Sequence, residues 1–524
     1  MFDFKSLIQT LFAQNEAQDG VHDFRSATQM LGELPESDML MAQVEIIKAL
    51  QQLNQNPRIN IKERFRTIPY LDEKARKLQT QLVGIYHGTI TDHGAPLPQV
   101  LLTITAFWKE MGNAYQLCLK QAMQVSSKSS GSLLVLFTLR AMRYYFEHAQ
   151  WNYLRYMPLD SNTWRRINRL YFFADQQGFA DGRLQPYSDC AHSSIRREYI
   201  KILMLTLAAP EKMQPDQVEL VAQWLEKWAG RIELEEIIRP HRQLFAINIA
   251  GSSPPKRLRR DLVGENWRYW FTDTLIQHIG ETLTRLRNGA KASDLGLPDN
   301  TSLPANLELM QRLCDLWSRE VPAPARKHER HTSSKNIRVL LGLDAIIGHL
   351  DKHTPVYDPS ADLSDKKTNP LDIDPAQWAV EDESASGMGV HFQSAIDDHI
   401  QAGEIVGVLP ESIDRPLVIG IVRRLSKQSD GQMKAGIETI TTTPLVVDVT
   451  PALENKRYRA IFSPEDRQNQ QSRLLIVPPE CFDEKLEYIL AAQGKSYRIR
   501  FATAHEHTTS ATLAGFSVLE KTHA

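Results

Sequence analysis

The sequence predicts a multidomain α+β chain: a mostly α-helical N-terminal bundle or irregular solenoid, then a small antiparallel β-barrel, then a further C-terminal β module. Three observations carry this. With 524 residues the chain exceeds what one hydrophobic core accommodates, so it divides into several domains. Up to about residue 290 the apolar residues recur at helical spacing, as in Met41, Val44, Ile47, Leu50 and Leu53, and again over 217–229 and 270–286. Beyond residue 330, short β-branched and leucine-rich runs alternate with turn residues. The expected boundaries are a helical domain over 1–292, a linker and docking helix over 293–320, the barrel over 321–445 and the C-terminal module over 446–524.

The helical part is punctuated by breakers at 94–98, at Met157-Pro158, at Ala209-Pro210 and over 251–255. It shows no 34- or 40-residue period, so no named repeat family is indicated. Over 140–169, Tyr144, Tyr145, Phe146, Trp151, Tyr153, Tyr156 and Trp164 interleave with Arg143, Arg155, Arg165 and Arg166. That pattern reads first as helix–helix core with snorkelling arginines, and second as a partner groove. The segment 293–306 is rich in Gly, Pro, Asn and Ser and reads as a linker; Leu309, Leu313 and Leu316 then share one side of a helix over 307–317.

In the barrel, Asn336-Ile337-Arg338-Val339-Leu340-Leu341 reads as the first strand, followed by a long connection over 346–375 rich in Asp, Lys, Pro and Ser. Met388 to Phe392, Ile405 to Leu409 and Pro416 to Val422 read as further strands. Asp430-Gly431 is a hairpin signal returning the chain through Met433 to Ile440. The runs 457–462, 473–477, 497–501 and 513–519 make the last β module, or an extension of the first barrel.

Composition is that of a globular protein, 42% hydrophobic and 24% charged, and 61 basic against 63 acidic residues give no global pull toward nucleic acid or anionic membrane. Any anion site is therefore local. Cys118, Cys190, Cys314 and Cys481 lack metal-binding or disulfide-framework spacing and read as thiols of a reducing cytoplasm. The N-terminus has no signal-peptide pattern, and the apolar run at Leu133 to Phe137 is too short to span a bilayer. Nucleophile elbow, Walker loop and metal-binding helix are all missing from the sequence, so the expectation is a non-enzyme without metal or cofactor.

Two motifs carry the chemistry. Arg326-Lys327-His328-Glu329-Arg330 follows the helix-disfavouring Val321-Pro322-Ala323-Pro324 and precedes the first strand, so Arg326 and Arg330 lie on an arm at a strand entrance. A guanidinium is the side chain whose planar fork grips a phosphate or the O6/N7 edge of guanine bidentately. Asp382-Glu383-Ser384-Ala385-Ser386-Gly387 supplies short acceptors, a hydroxyl and a glycine that admits close backbone approach. In this order, Arg-x-x-x-Arg, strand, connection, Asp-x-Ser-x-x-Gly and then more strands resembles the signature of PilZ domains, receptors for the second messenger cyclic di-GMP. The resemblance covers roughly residues 321–445 and includes the closing Gly-Ile-Val-Arg and Gly-Ile-Glu hairpin; Ala325 stands immediately before the arginine pair, and family members bind the ligand singly or as a stacked pair.

The resemblance implies that Arg326, Arg330, Asp382, Ser384 and Gly387 bind cyclic di-GMP, in a bacterial cytoplasmic receptor that couples the ligand to a protein partner of the helical domain and regulates motility, pili, adhesion or exopolysaccharide. Two other readings stand beside it. One is a helical scaffold whose PilZ-like barrel binds no nucleotide; the other is a nucleic-acid-binding protein using the basic run Lys256-Arg257-Leu258-Arg259-Arg260.

Overall fold

The computed structural model describes residues 21–522 apart from 36–37, 57, 91–95, 125–129, 321–327, 354–374, 394–399, 410–416, 429, 455, 466–471, 493 and 509. Helices α1 (Phe24–Gly32), α2 (Met39–Gln55), α3 (Ile61–Tyr86), α4 (Leu97–Ala122), α5 (Ser130–Tyr153), α6 (Ser161–Gln176), α7 (Ile195–Leu207) and α8 (Pro215–Trp228) pack into one continuous hydrophobic core. Their starts are fixed locally. Asp23, Asp38 and Asp160 each accept a backbone N–H from the first turn at 2.8 Å, satisfying donors that have no intrahelical partner.

The aromatic-rich stretch of α5 and α6 is core. Tyr144, Tyr145, Phe146, Trp151, Tyr153 and Trp164 are all buried. At their centre lies Asp72, fully buried on α3, which accepts hydrogen bonds from the hydroxyls of Tyr115 at 2.5 Å, Tyr187 at 2.7 Å and Tyr144, with Arg140 Nη1 3.6 Å away. A buried carboxylate is tolerable only when so fully partnered.

Buried His148 on α5 has a consequence for stability. Burial pushes its imidazole down to about 4, so the folded protein declines a proton that the unfolded chain accepts below about 6.5. Its contribution is fully present above pH 6.5 and is lost as pH falls toward 4, at a cost of about 3 kcal/mol. Urea unfolding at pH 7 and pH 4.5 should therefore show a smaller acid loss for His148→Gln than for the parent. Equal losses would mean that His148 is protonated in the folded state.

A small antiparallel sheet, β1 (Phe245–Asn248), β2 (Lys256–Arg257) and β3 (Trp267–Trp270), interrupts the region expected to be mostly helical. Its strands are too short for a periodicity test to register. Helices α9 (Asp273–Arg287) and α10 (Pro304–Trp317) follow, joined by 3-10 turns. This supposed linker is packed: Thr301 is fully buried, accepting from Trp224 Nε1 at 3.1 Å, and Trp317 belongs to the helical core.

The first barrel comprises β4 (His331–Thr332), β5 (Asn336–Leu341), β6 (Ala376–Ser384), β7 (Gly387–Gln393), β8 (Ile405–Leu409), β9 (Val418–Lys427) and β10 (Gln432–Thr441), in the order β4-β6-β5-β8-β9-β10-β7 with β6 also paired to β7. That last pairing closes the ring. Helix α11 (Leu343–His353) occupies the start of the connection after β5. Strands β11 (Leu445–Pro451), β12 (Tyr458–Ser463), β13 (Leu474–Val477), β14 (Glu487–Ala492), β15 (Lys495–His507) and β16 (Thr512–Thr522) form a second closed barrel with its own core around Val449, Tyr488 and Phe501. Between the barrels, Leu340, Ile346, Ile405, Ile419, Ile440, Ile461, Ile476 and Leu513 make one shared apolar layer. Among the described residues no helix is long and apolar enough to cross a membrane.

The helical domain reaches into the first barrel through Tyr156. This residue adopts a left-handed backbone, φ +57°, which is unusual for a non-glycine side chain. Its ring joins the barrel's core with Trp378, Val380 and Phe392. Its carbonyl accepts from Lys427 N at 2.9 Å, and its hydroxyl accepts from Ala402 N and donates to Met213 O, both at 3.0 Å.

Candidate ligand site on the barrel face

The second motif folds as a tight hairpin between β6 and β7. Ser384 pairs with Gly387 across the turn residues Ala385 and Ser386, and Ser384 Oγ donates to Gly387 O at 3.2 Å. Gly387 has φ +156°, and a Cβ there would lie 2.1 Å from Ile437 O on β10. No side chain fits. The same contact presses the hairpin onto β10, where Thr439 N donates to Ser386 O at 3.0 Å.

Strand β4 pairs with β6, His331 opposite Glu383 and Thr332 opposite Asp382, and so brings the arm to the hairpin. Arg330 Nη1 lies 2.5 Å from Asp382 Oδ1, in a half-buried ion pair, and the same oxygen accepts from Gly389 N at 3.1 Å. Two motifs that the sequence separates by fifty residues are thus in direct contact. Ser384 and Gly387 stand two and five positions beyond Asp382 on this hairpin; Arg326 lies outside the described residues.

Strand register brings further residues to the site, of which Gly389 and Arg424 stand outside the motifs. Asp382 on β6 faces Gly389 on β7, Gly389 faces Gly436 on β10, and Gly436 faces Arg424 on β9. Asp382 Oδ1 lies 2.7 Å and Arg330 Nη1 3.4 Å from where a Gly389 Cβ would sit, so these side chains fold over the space that the glycine floor leaves. Arg424 lies across it, its Nε 2.8 Å from where a Gly436 Cβ would sit, exposed and without a carboxylate within ion-pair distance among the described residues. The neighbouring cations are spent: Lys335 pairs with Glu383 at 2.6 Å and Lys434 with Glu381 at 3.0 Å. A glycine floor beneath two guanidinium groups and a carboxylate suits a planar base bearing phosphates once those side chains turn aside to meet it, since stacking and forked donors then act together. Only the register, shifted by a bulge between Gly436 and Ile437, makes these residues neighbours; Gly436 opens the Gly-Ile-Glu stretch of the closing hairpin, whereas no linear motif announces Gly389 or Arg424.

From the hairpin an ionic chain leads away. Glu438, opposite Gly387, pairs with Arg423 Nε at 2.5 Å, and Arg423 Nη1 pairs with Glu506 at the end of β15. Arg423 and Glu506 line a cavity of about 460 Å³ where the two barrels meet Gln214, Gln217 and Arg312 of the helical part. The 256–260 run, in contrast, is partly structural: Arg257 Nη2 donates to the carbonyls of Leu316 at 3.1 Å and Ser318 at 2.9 Å. No group of three or more potential metal ligands occurs among the described residues.

Comparison with known proteins gives two family matches. Residues 25–241 match the N-terminal domain of the cyclic-di-GMP receptor FimW, and residues 350–444 match its middle PilZ domain. No curated relative and no solved structure matches the chain. The arm at 326–330 lies just upstream of the PilZ match, and the second barrel lies beyond both. Together the matched stretches take in more than half of the chain, and the helical domain, the closed PilZ barrel and the order of the two agree with them: the chain belongs to the family of FimW cyclic-di-GMP receptors, whose ligand is cyclic di-GMP.

Proposed function

We propose that cyclic di-GMP binds on the outer face of the first barrel, held by Arg326 and Arg330 of the arm, by Asp382, Ser384 and Gly387 of the hairpin, and by Arg424 across the Gly389–Gly436 floor. The observation that carries this is the Arg330–Asp382 contact, which joins both motifs over the glycine floor. Without ligand, Asp382 holds Arg330. With ligand, the guanidinium turns to a phosphate or a guanine edge, and the freed carboxylate accepts from guanine N1 and N2.

The arm's rearrangement presses on the hairpin, and the hairpin bears on β10 and the Glu438–Arg423–Glu506 chain toward the helical domain. A ligand shifts such a contact only by its difference in affinity between two arrangements. In this reading the protein is a cytoplasmic effector whose helical domain meets a protein partner, with surface behaviour such as motility, pili, adhesion or exopolysaccharide as its output.

Hydrogen exchange with and without cyclic di-GMP tests both halves. Protection is expected over 328–335 and 384–389, together with altered exchange at the seam around Ala402 and Lys427. Protection at the site with an unchanged seam would remove the coupling, and calorimetric silence of the intact protein would favour the non-binding scaffold.

A further inference from the structure

The helical domain holds a second cavity, of about 310 Å³, between α3, α4, α5 and α8. Its walls are the indoles of Trp108 and Trp151, the latter 3% exposed. Its carboxylates are Glu147 on α5 and Glu219 on α8. Among the described residues neither has a lysine or arginine within ion-pair distance; Glu219 Oε1 meets only His87 Nε2, at 3.3 Å. Gln150 and Gln223 add side-chain amides to the lining. Aromatic side chains, a carboxylate without an ion-pair partner among the described residues, a second that meets only His87, and amide groups together are the environment that a cation carrying N–H donors completes, by cation–π attraction and charge-assisted hydrogen bonds.

We propose that this cleft receives an arginine or lysine side chain of the protein partner, seated between Trp108 and Trp151 with its charge on Glu147 and Glu219. The volume admits one such side chain, and charge complementarity selects it. A quaternary ammonium head group would satisfy the indoles but leave the carboxylates and glutamines without donors. The proposal deepens the reading that the helical domain meets a protein partner, and it names the chemistry of the contact.

Proton linkage gives the site a signature. Burial, with Asp216 adding to it, pushes Glu219 up to about 7, burial also raises Glu147, and burial lowers His87. The groups facing these are Tyr86 of α3, itself beside Arg155 of the turn after α5, Arg143 of α5, Glu198 and Lys201 of α7, and Asp216 and Glu226 of α8. Lys201 and Arg143 favour ionisation of Glu147, while Glu198 and Glu226 oppose it. Near neutral pH Glu219 is therefore only half ionised, and an arriving cation displaces its proton. Affinity rises with pH, by about tenfold between pH 6 and pH 8 for one group titrating near 7.

The test uses the full chain and N-acetyl-arginine methylamide, with the uncharged isostere N-acetyl-citrulline methylamide as control, read from the indole N–H resonances and assigned with Trp108→Phe. A single side chain is expected to bind in the millimolar range. Saturable shifts with the arginine probe, absent with citrulline, weakened at pH 6 and lost in Glu147→Gln/Glu219→Gln, are the expected result. Near-UV dichroism of that variant distinguishes a lost site from a lost fold, and the single variant Glu219→Gln, expected to lose the pH dependence, serves if the double variant unfolds. Equal responses to both probes, no response to the arginine probe, or a stronger response to choline, which would place a lipid head group there, each overturn the assignment. These outcomes are independent of cyclic di-GMP: a silent cleft leaves the rest of the helical surface available to a partner, whereas failed coupling leaves the cleft's affinity intact.

Discussion

Replacing Arg326 and Arg330 together by alanine abolishes cyclic di-GMP binding, and Arg330→Ala alone weakens it roughly thirty- to a thousandfold: this is the expected calorimetric result. A forked, charge-assisted contact to phosphate or guanine contributes about 2–4 kcal/mol, which is roughly thirty- to a thousandfold in affinity. Removing Arg330 also leaves Asp382 without its counter-ion beside the incoming phosphates, which adds repulsion to the lost attraction. Arg330→Lys does not restore binding, because a point charge lacks the planar fork. Since the ion pair is half-exposed, the thermal midpoint should move little. Affinity within threefold of the parent in the double variant would remove the arm from the site.

Tyr156→Ala is expected to be the most damaging single change at the seam between helical domain and barrel. It empties the position of a buried ring in the barrel core, strips the acceptor from Ala402 N and the donor from Met213 O, and keeps an alanine in the left-handed backbone. Loss of a large buried side chain costs about 3–5 kcal/mol, and each orphaned backbone group about 1–3 kcal/mol more. The barrel then separates from the helical domain, visible as a split melting transition and an enlarged radius in solution scattering. Tyr156→Phe, which keeps the ring and loses only the hydroxyl, should stay docked with a smaller loss. A single unshifted transition for Tyr156→Ala would show that other contacts hold the seam.

Local patterns carried much of this structure. The helical spacing of Met41 through Leu53 reports α2 because one face is buried, and Asp430-Gly431 reports the β9–β10 turn because that dipeptide favours the required backbone. The arginine arm and the Asp-x-Ser-x-x-Gly hairpin were legible as motifs because each is contiguous. What stayed hidden is set by tertiary contact. Arg424, Gly389 and Gly436 become neighbours only through strand pairing across a bulge. Tyr156 had the look of one more core aromatic of the helical domain, whereas its positive φ turns it outward into another domain. Helix α11 sits within a connection whose polar composition suggested a loop, held by Ile346 and Ile347 against both barrels.

The isoleucine-rich layer between the barrels has a thermodynamic consequence. Residues from α11, β5, β8 and β9 on one side and β12, β13 and β16 on the other exclude water from each other, so neither barrel can melt without uncovering apolar surface on its neighbour. The two behave as a single cooperative unit, and by mass action any nucleotide that stabilises the first also defends the second against denaturation. A fragment ending at the first barrel's last strand would present that layer to solvent as an adhesive surface. Removing the C-terminal module is therefore expected to destabilise the first barrel as well.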